Sequence, residues 1–226
     1  MTKEIYCISG LGADQRIFSH LKIPGVRLLH LPWLIPFSDE SIEAYALRMK
    51  VAIDGDNPVL LGVSFGGMIA VEIAKYYPAA TVILVSSIGS RHSLPWWMSI
   101  CGRLGLNRLM PVRPGKGIRW LENYYLGVET PEDASLVNEF RGKTDPLYLK
   151  WAVDRIVNWK NEWLPDHLYH LHGSRDKMFP LRRVKATHVV REAGHFMVNN
   201  RAEEVSAILE KILKFCNNLA TRPTDM

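Results

Sequence analysis

The stretch Gly62-Val63-Ser64-Phe65-Gly66-Gly67 places a serine between closely spaced glycines. An apolar run over residues 58–63 precedes it, and an almost wholly apolar segment over 65–76 follows. That context predicts a strand, a sharp turn and a buried helix, with the Ser64 hydroxyl lifted clear of the backbone, the geometry of a nucleophile elbow. Side chains at Gly62 or Gly66 would collide with the flanking elements. A serine hydroxyl is a poor nucleophile at neutral pH and needs an adjacent base. Two later loops carry the missing groups. His172-Gly173-Ser174-Arg175-Asp176 offers a carboxylate, and Glu192-Ala193-Gly194-His195-Phe196 offers an imidazole. His195 would take the Ser64 proton and return it to a leaving group, while Asp176 would fix the imidazole tautomer.

Other groups compete for these roles. Asp14 lies after the wrong strand and is read as capping a short helix. Asp166 precedes its strand, at the opposite end of the sheet. His172 opens the acid loop and is expected to pack or hydrogen-bond there. His92 is expected to be exposed. His20, His30, His167, His170 and His188 have no carboxylate at metal-ligand spacing, so no metal is assigned. Cys7, Cys101 and Cys216 are odd in number and far apart, which argues against a disulfide framework or a zinc site.

Six β-prone runs have to position these residues: 3–9, 26–31, 58–63, 81–86, 167–172 and 187–190. The continuous apolar runs suit strands buried on both faces, as in a parallel sheet. Helices are predicted over 38–54, opened by Ser38-Asp39-Glu40, over 65–76, and over 203–215. This alternation predicts an α/β protein with a mainly parallel six-stranded sheet and helices on both faces. Between 91 and 163 the alternation stops, and clearer helical stretches appear at 127–139 and 146–159. A structureless loop of that length is improbable, so the segment reads as a helical insertion. The expected division is a core of residues 1–90 and 164–226 with an inserted cap of 91–163. Ser64, Asp176 and His195 then follow the third, fifth and sixth strands, where open α/β sheets build their sites.

On these residues the chain resembles the α/β-hydrolase fold family of serine hydrolases, with the match concentrated at Gly62–Gly67, Gly173–Asp176 and Gly194–Phe196. The first two strands of the family's usual layout are missing. Where a His-Gly dipeptide usually precedes the oxyanion-hole residue, this chain has Ser9-Gly10-Leu11-Gly12. The resemblance implies that the oxyanion donors are the backbone N–H groups of Leu11 and Phe65. It also implies hydrolysis, through an acyl-enzyme, of a carboxylic ester or thioester of a small or medium acyl substrate, without cofactor or metal. Two alternatives stay open, because fold does not decide function. One is non-hydrolytic use of the same groups, as a lyase, a perhydrolase or a menaquinone-pathway synthase. The other is a hydrolase-like small-molecule receptor. Ser64 argues against dehalogenases and epoxide hydrolases of this fold, which use an aspartate there.

Composition narrows the partners. Hydrophobic residues at 47% and charged residues at 23% exclude a disordered chain. No apolar run reaches the roughly 18 residues of a membrane span, and no signal peptide is read, so a cytoplasmic location is expected. Nucleic-acid binding is not expected, since no recognised module is present. The net charge of +5 is uneven: residues 91–120 hold six basic residues and no acid, and the remainder carries −1. That block includes Trp96, Trp97 and Trp120, which with Met98 and Tyr124 are candidates for a pocket wall. It reads as a solvated face, an attractor for an anionic substrate, or a contact with an anionic membrane surface.

Overall fold

A computed structural model describes residues 3–109 and 116–220. Six strands, β1 (Lys3–Ile8), β2 (Val26–His30), β3 (Val59–Val63), β4 (Thr81–Val85), β5 (His167–Gly173) and β6 (His188–Val190), form one sheet in the order β2-β1-β3-β4-β5-β6. Every pairing is parallel. All six carboxyl ends therefore point to one edge, and the loops after β1, β3, β5 and β6 meet there.

Between and after the strands lie α1 (Ile42–Lys50), α2 (Phe65–Ala74), α3 (Trp96–Arg103), α4 (Lys116–Leu126), α5 (Pro131–Lys143), α6 (Pro146–Val157), α7 (Met197–Asn200) and α8 (Ala202–Ala220). Successive strand side chains point to opposite faces, which splits the core in two. Tyr6, Ile8, Leu60, Val82 and Leu84 pack with α1, α2 and α6. Ile5, Cys7, Leu61, Ile83 and Val85 pack with α8 and with Ile17 and Phe18.

Two helix starts differ from the sequence expectation. The first helix begins at Ile42, capped by the Ser41 hydroxyl, which accepts the Ala44 N–H. Residues 38–40 stay outside it: Asp39 has φ 58°, and the Glu40 carboxylate folds back onto the Phe37 N–H at 2.9 Å and Arg48 at 2.7 Å. The helix expected over 127–139 begins at Pro131 and runs to Lys143. Gly127 sits at φ 69°, a left-handed conformation that ends α4. Thr130 caps α5, with Pro131, Glu132 and Asp133 in its first turn.

Candidate active site

The turn after β3 brings Ser64 out at φ 52° and ψ −120°. A non-glycine residue there is strained and must be held by its surroundings. Three hydrogen bonds hold it. The Ser64 N–H donates to Val85 O at 3.0 Å, and Gly67 N–H donates to Ser64 O at 3.0 Å. The Ser87 hydroxyl also donates to Ser64 O, at 2.6 Å. The glycines are steric requirements. A Cβ on Gly62 would enter the Gly66–Gly67 backbone, and one on Gly66 would enter the Ile8 and Ser9 carbonyls.

The structure brings Ser64, His195 and Asp176 into one hydrogen-bonded chain. His195 Nε2 lies 2.9 Å from Ser64 Oγ, and His195 Nδ1 lies 2.8 Å from Asp176 Oδ2. Asp176 and His195 are buried, and Ser64 is half-buried. A carboxylate only accepts, so Nδ1 carries the imidazole proton and Nε2 is left to accept from the Ser64 hydroxyl. Asp176 Oδ1 accepts the Phe179 N–H at 2.8 Å. Burial pushes the Asp176 carboxyl up. The charge and hydrogen bond of His195, the nearby His172 and the Phe179 N–H outweigh it and hold the group below its ordinary value. The groups present can therefore deprotonate a hydroxyl and stabilise the resulting imidazolium.

Loop 9–12 lies across the elbow. A Cβ on Gly10 would sit 3.6 Å from Ser64 Cβ. Ser9, at the position of the family's histidine, ties the loop to itself by donating to Ala13 O at 2.6 Å. The Trp33 indole N–H reaches Gly10 O and Ala13 O at 3.2 and 3.1 Å. Thr144 Oγ1, from the end of α5, donates to Phe140 O at 2.7 Å and lies 3.2 Å from Gly12 O. Phe65 is the first residue of α2, so its N–H has no carbonyl partner within the helix. It stacks on Trp33 at 5.4 Å, and Trp33 packs against Tyr148 of α6 at 5.2 Å. The Tyr148 hydroxyl is buried beside the Gly12 backbone.

Sequence reasoning missed Trp33, Thr144, Tyr148 and Ser87, which reach the site from distant elements and carry no motif. The Phe179 contact had a readable signal, since an aspartate commonly accepts a backbone N–H shortly after it. His172 sits beside Asp176: its Nε2 lies 2.7 Å from Phe179 O and 3.4 Å from Asp176 Oδ2, and its Nδ1 lies 3.1 Å from His170 Nε2. Burial pushes both imidazoles below their ordinary value, His170 to about 3. Asp14 caps the turn Gln15–Phe18 and pairs with Arg16. His92 is exposed, facing Glu162.

Trp96, Trp97, Trp120 and Tyr124 are exposed, while Met98 is buried. Trp120 stacks on Tyr124 at 6.0 Å, Tyr124 meets Tyr125, and Tyr125 meets Trp97 at 6.5 Å. The Lys177 ammonium lies 3.4 Å over the Tyr124 ring, so this aromatic run borders the loop of Asp176. A separate surface groove of about 620 Å³ runs between residues 36–39 and α6, with Asn107, Arg108, Lys150 and Trp151 in its wall. None of the four candidate wall aromatics lines it. Among the described residues, no cluster of His, Cys, Asp or Glu could hold a metal ion, and no helix is long and apolar enough to cross a membrane.

With fold and site in view, comparison with known proteins places the chain. Residues 31–208 match the model of the alpha/beta hydrolase family, and the chain belongs to that family. No curated protein matches its sequence. An N-acyl homoserine lactonase superposes with a TM-score of 0.72 at 18% identity, covering 96% of this chain and 90% of that one. An esterase from Thermogutta terrifontis gives 0.67 at 16%, covering 94% and 89%. A putative lipase from Acinetobacter baumannii gives 0.68 at 19%, covering 96% and 85%. At these identities the likeness is one of fold.

Proposed function

We propose that this protein is a serine hydrolase that cleaves a carboxylic ester or thioester of a small or medium acyl substrate. The observation that carries the reading is the unbroken chain from Ser64 Oγ through His195 to Asp176, beginning on a strained turn. In this mechanism His195 Nε2 accepts the Ser64 proton as Oγ attacks the substrate carbonyl carbon. The carbonyl oxygen becomes an oxyanion facing the N–H groups of Leu11 and Phe65. Loss of one such donor typically slows acyl transfer by on the order of 10²–10³. Protonated His195 gives its proton to the leaving alcohol or thiol, and Asp176 stabilises the imidazolium while it exists. Water, deprotonated by His195, then releases the acid and restores Ser64. The inserted segment 91–163 is the cap: Thr144 and Tyr148 bring it onto loop 9–12, so it lies against the acyl site. The lactonase and the esterase that share the fold act, by their names, on carboxylic esters, one of them cyclic, which supports this class.

The test is covalent labelling with a fluorophosphonate, combined with a chain-length series of p-nitrophenyl acyl esters. We expect labelling and turnover in the native chain, and loss of both in Ser64→Ala, with kcat down by roughly 10³-fold or more. A folded native protein that neither labels nor cleaves any of the esters would refute the assignment. Labelling without hydrolysis would favour lyase or synthase use of the same groups.

A further inference from the structure

Half of the exposed large hydrophobic side chains among the described residues lie between Trp96 and Tyr124: ten of twenty. Their spacing is helical. Trp96, Ile100 and Leu104 recur every four residues along α3 and its end, while Met98 on the other side of the helix is buried. Trp120 and Tyr124 repeat the interval on α4. Leu104 is 67% exposed and Leu109 80%. The ring contact between Trp97 and Tyr125 joins the two helices. Exposed apolar side chains concentrated in this way mark a contact site.

The charge of the same stretch selects the contact. Residues 91–120 hold six basic residues and no acid, and Arg103 and Arg108 are exposed. Three acids around it are committed, Glu122 to Arg141, Glu162 to Arg91, and Asp154 to Arg155 and Asn107. A two-fold contact with a second copy would set this positive surface against itself. Protruding tryptophan and leucine interleaved with arginine is the pattern of a helix face that rests in the headgroup region of an anionic bilayer. Its apolar groups enter the acyl boundary and its cations meet lipid phosphates.

We propose that the α3–α4 face, with Leu104 and Leu109, docks on anionic lipid surfaces. The face borders the candidate active site, since Tyr124 carries Lys177, the residue after Asp176, and Gly127 at the end of α4 lies against Gly194 and His195. Docking would bring the site to the membrane, where amphiphilic esters collect. It does not rest on the hydrolase reading, because binding is measured without turnover.

The experiment is co-sedimentation of the full chain with phosphatidylcholine vesicles and with vesicles containing about one third phosphatidylglycerol. We expect retention on the anionic vesicles only, released by raising salt to about 0.5 M, where the Debye length is only a few ångströms. Leu104→Ser/Leu109→Ser should lower retention tenfold or more and leave the melting temperature within a few degrees. Arg103→Gln/Arg108→Gln should weaken retention on the anionic vesicles. Ser64→Ala should bind like the native chain, which separates this result from failure of the hydrolase reading. No retention, equal retention on both vesicle types, or retention unchanged in the leucine double variant would overturn the proposal. So would a dimer in sedimentation velocity that the leucine variant dissociates, with no vesicle binding, since the face would then be a self-interface. Binding of an acidic protein partner without vesicle binding would likewise overturn it.

Discussion

Asp176 is a buried carboxylate kept ionised by what surrounds it. Burial favours its neutral form, and His195, His172 and the Phe179 N–H reverse that. Asp176→Asn should leave the fold intact but offer His195 an amide that can donate to Nδ1, stabilising the wrong tautomer. We expect kcat on a p-nitrophenyl ester to fall by about 10⁴, the size of the effect when a triad aspartate is changed this way; a fall under tenfold would remove Asp176 from the mechanism. The neighbouring histidines set a pH dependence of stability. Burial keeps His170 neutral in the folded chain down to about pH 3, whereas the unfolded chain takes up its proton near 6.5. Between those values the unfolded state binds more protons, so stability is lost as pH falls below 6.5. Asp176 acts in the same sense at lower pH, because its stabilisation is present above the unfolded carboxyl value and is lost as pH falls through the depressed folded one. The urea midpoint should therefore drop between pH 7 and pH 5, and His170→Gln, which keeps an amide donor for His172, should flatten that drop. An unchanged slope in the variant would assign the effect to other groups.

At the scale of elements, the elbow is a packing problem before it is a chemical one. Gly62→Ala would drive a Cβ into the Gly66–Gly67 backbone. We expect destabilisation on the order of 1–3 kcal/mol from overpacking, read as a lower urea midpoint. Loop 9–12 tests the other half of the site. Thr144→Val deletes the hydroxyl that donates to Phe140 O and touches Gly12 O, at about 1 kcal/mol of stability. If that contact positions the oxyanion donors, kcat should fall severalfold while KM stays within twofold. The strands were legible in the sequence to within one residue at almost every end, because a run such as Val82-Ile83-Leu84-Val85 has no other use than a strand covered on both faces. The start of α1 was misread because Ser38 and Ser41 are both plausible caps, and only the fold of Glu40 onto Arg48 selects between them. The start of α5 was legible in Thr130-Pro131-Glu132-Asp133 and was overlooked in favour of Gly127. The bracing of loop 9–12 by Thr144 left no trace, since a contact between residues 132 positions apart has no local pattern.

At the scale of the molecule, the inserted helices and the sheet share their cores. Met98, Tyr148, Trp151, Ala152 and Trp159 lie in one cluster with Leu60, Val82 and the helices α1 and α2. Val137 and Phe140 of α5 lie in the other, with Ile83, Val85 and α8. Buried polar contacts cross the same boundary. The Trp151 indole donates to Glu40 O at 2.7 Å, and the Trp159 indole donates to Glu72 Oε1 at 2.8 Å, inside α2. The described residues of segment 91–163 thus pack on both faces of the sheet. Because the segment packs into both clusters, neither part can lose its packing without exposing the other. We therefore expect a single calorimetric transition for the full chain, with calorimetric and van't Hoff enthalpies equal. A chain in which 91–163 is replaced by a short Gly/Ser linker should be insoluble or expanded, because Phe65, Leu60 and Val85 lose part of their cover. Two resolved transitions, or a compact and cooperative deletion variant, would show that the insertion is energetically independent. Selectivity would then reside in a detachable module. If the interior is shared, as the buried clusters indicate, substitutions on the outward face at Leu104 and Leu109 should leave the melting temperature within a few degrees, while Trp151→Ala should lower the stability of the whole chain by about 3–5 kcal/mol.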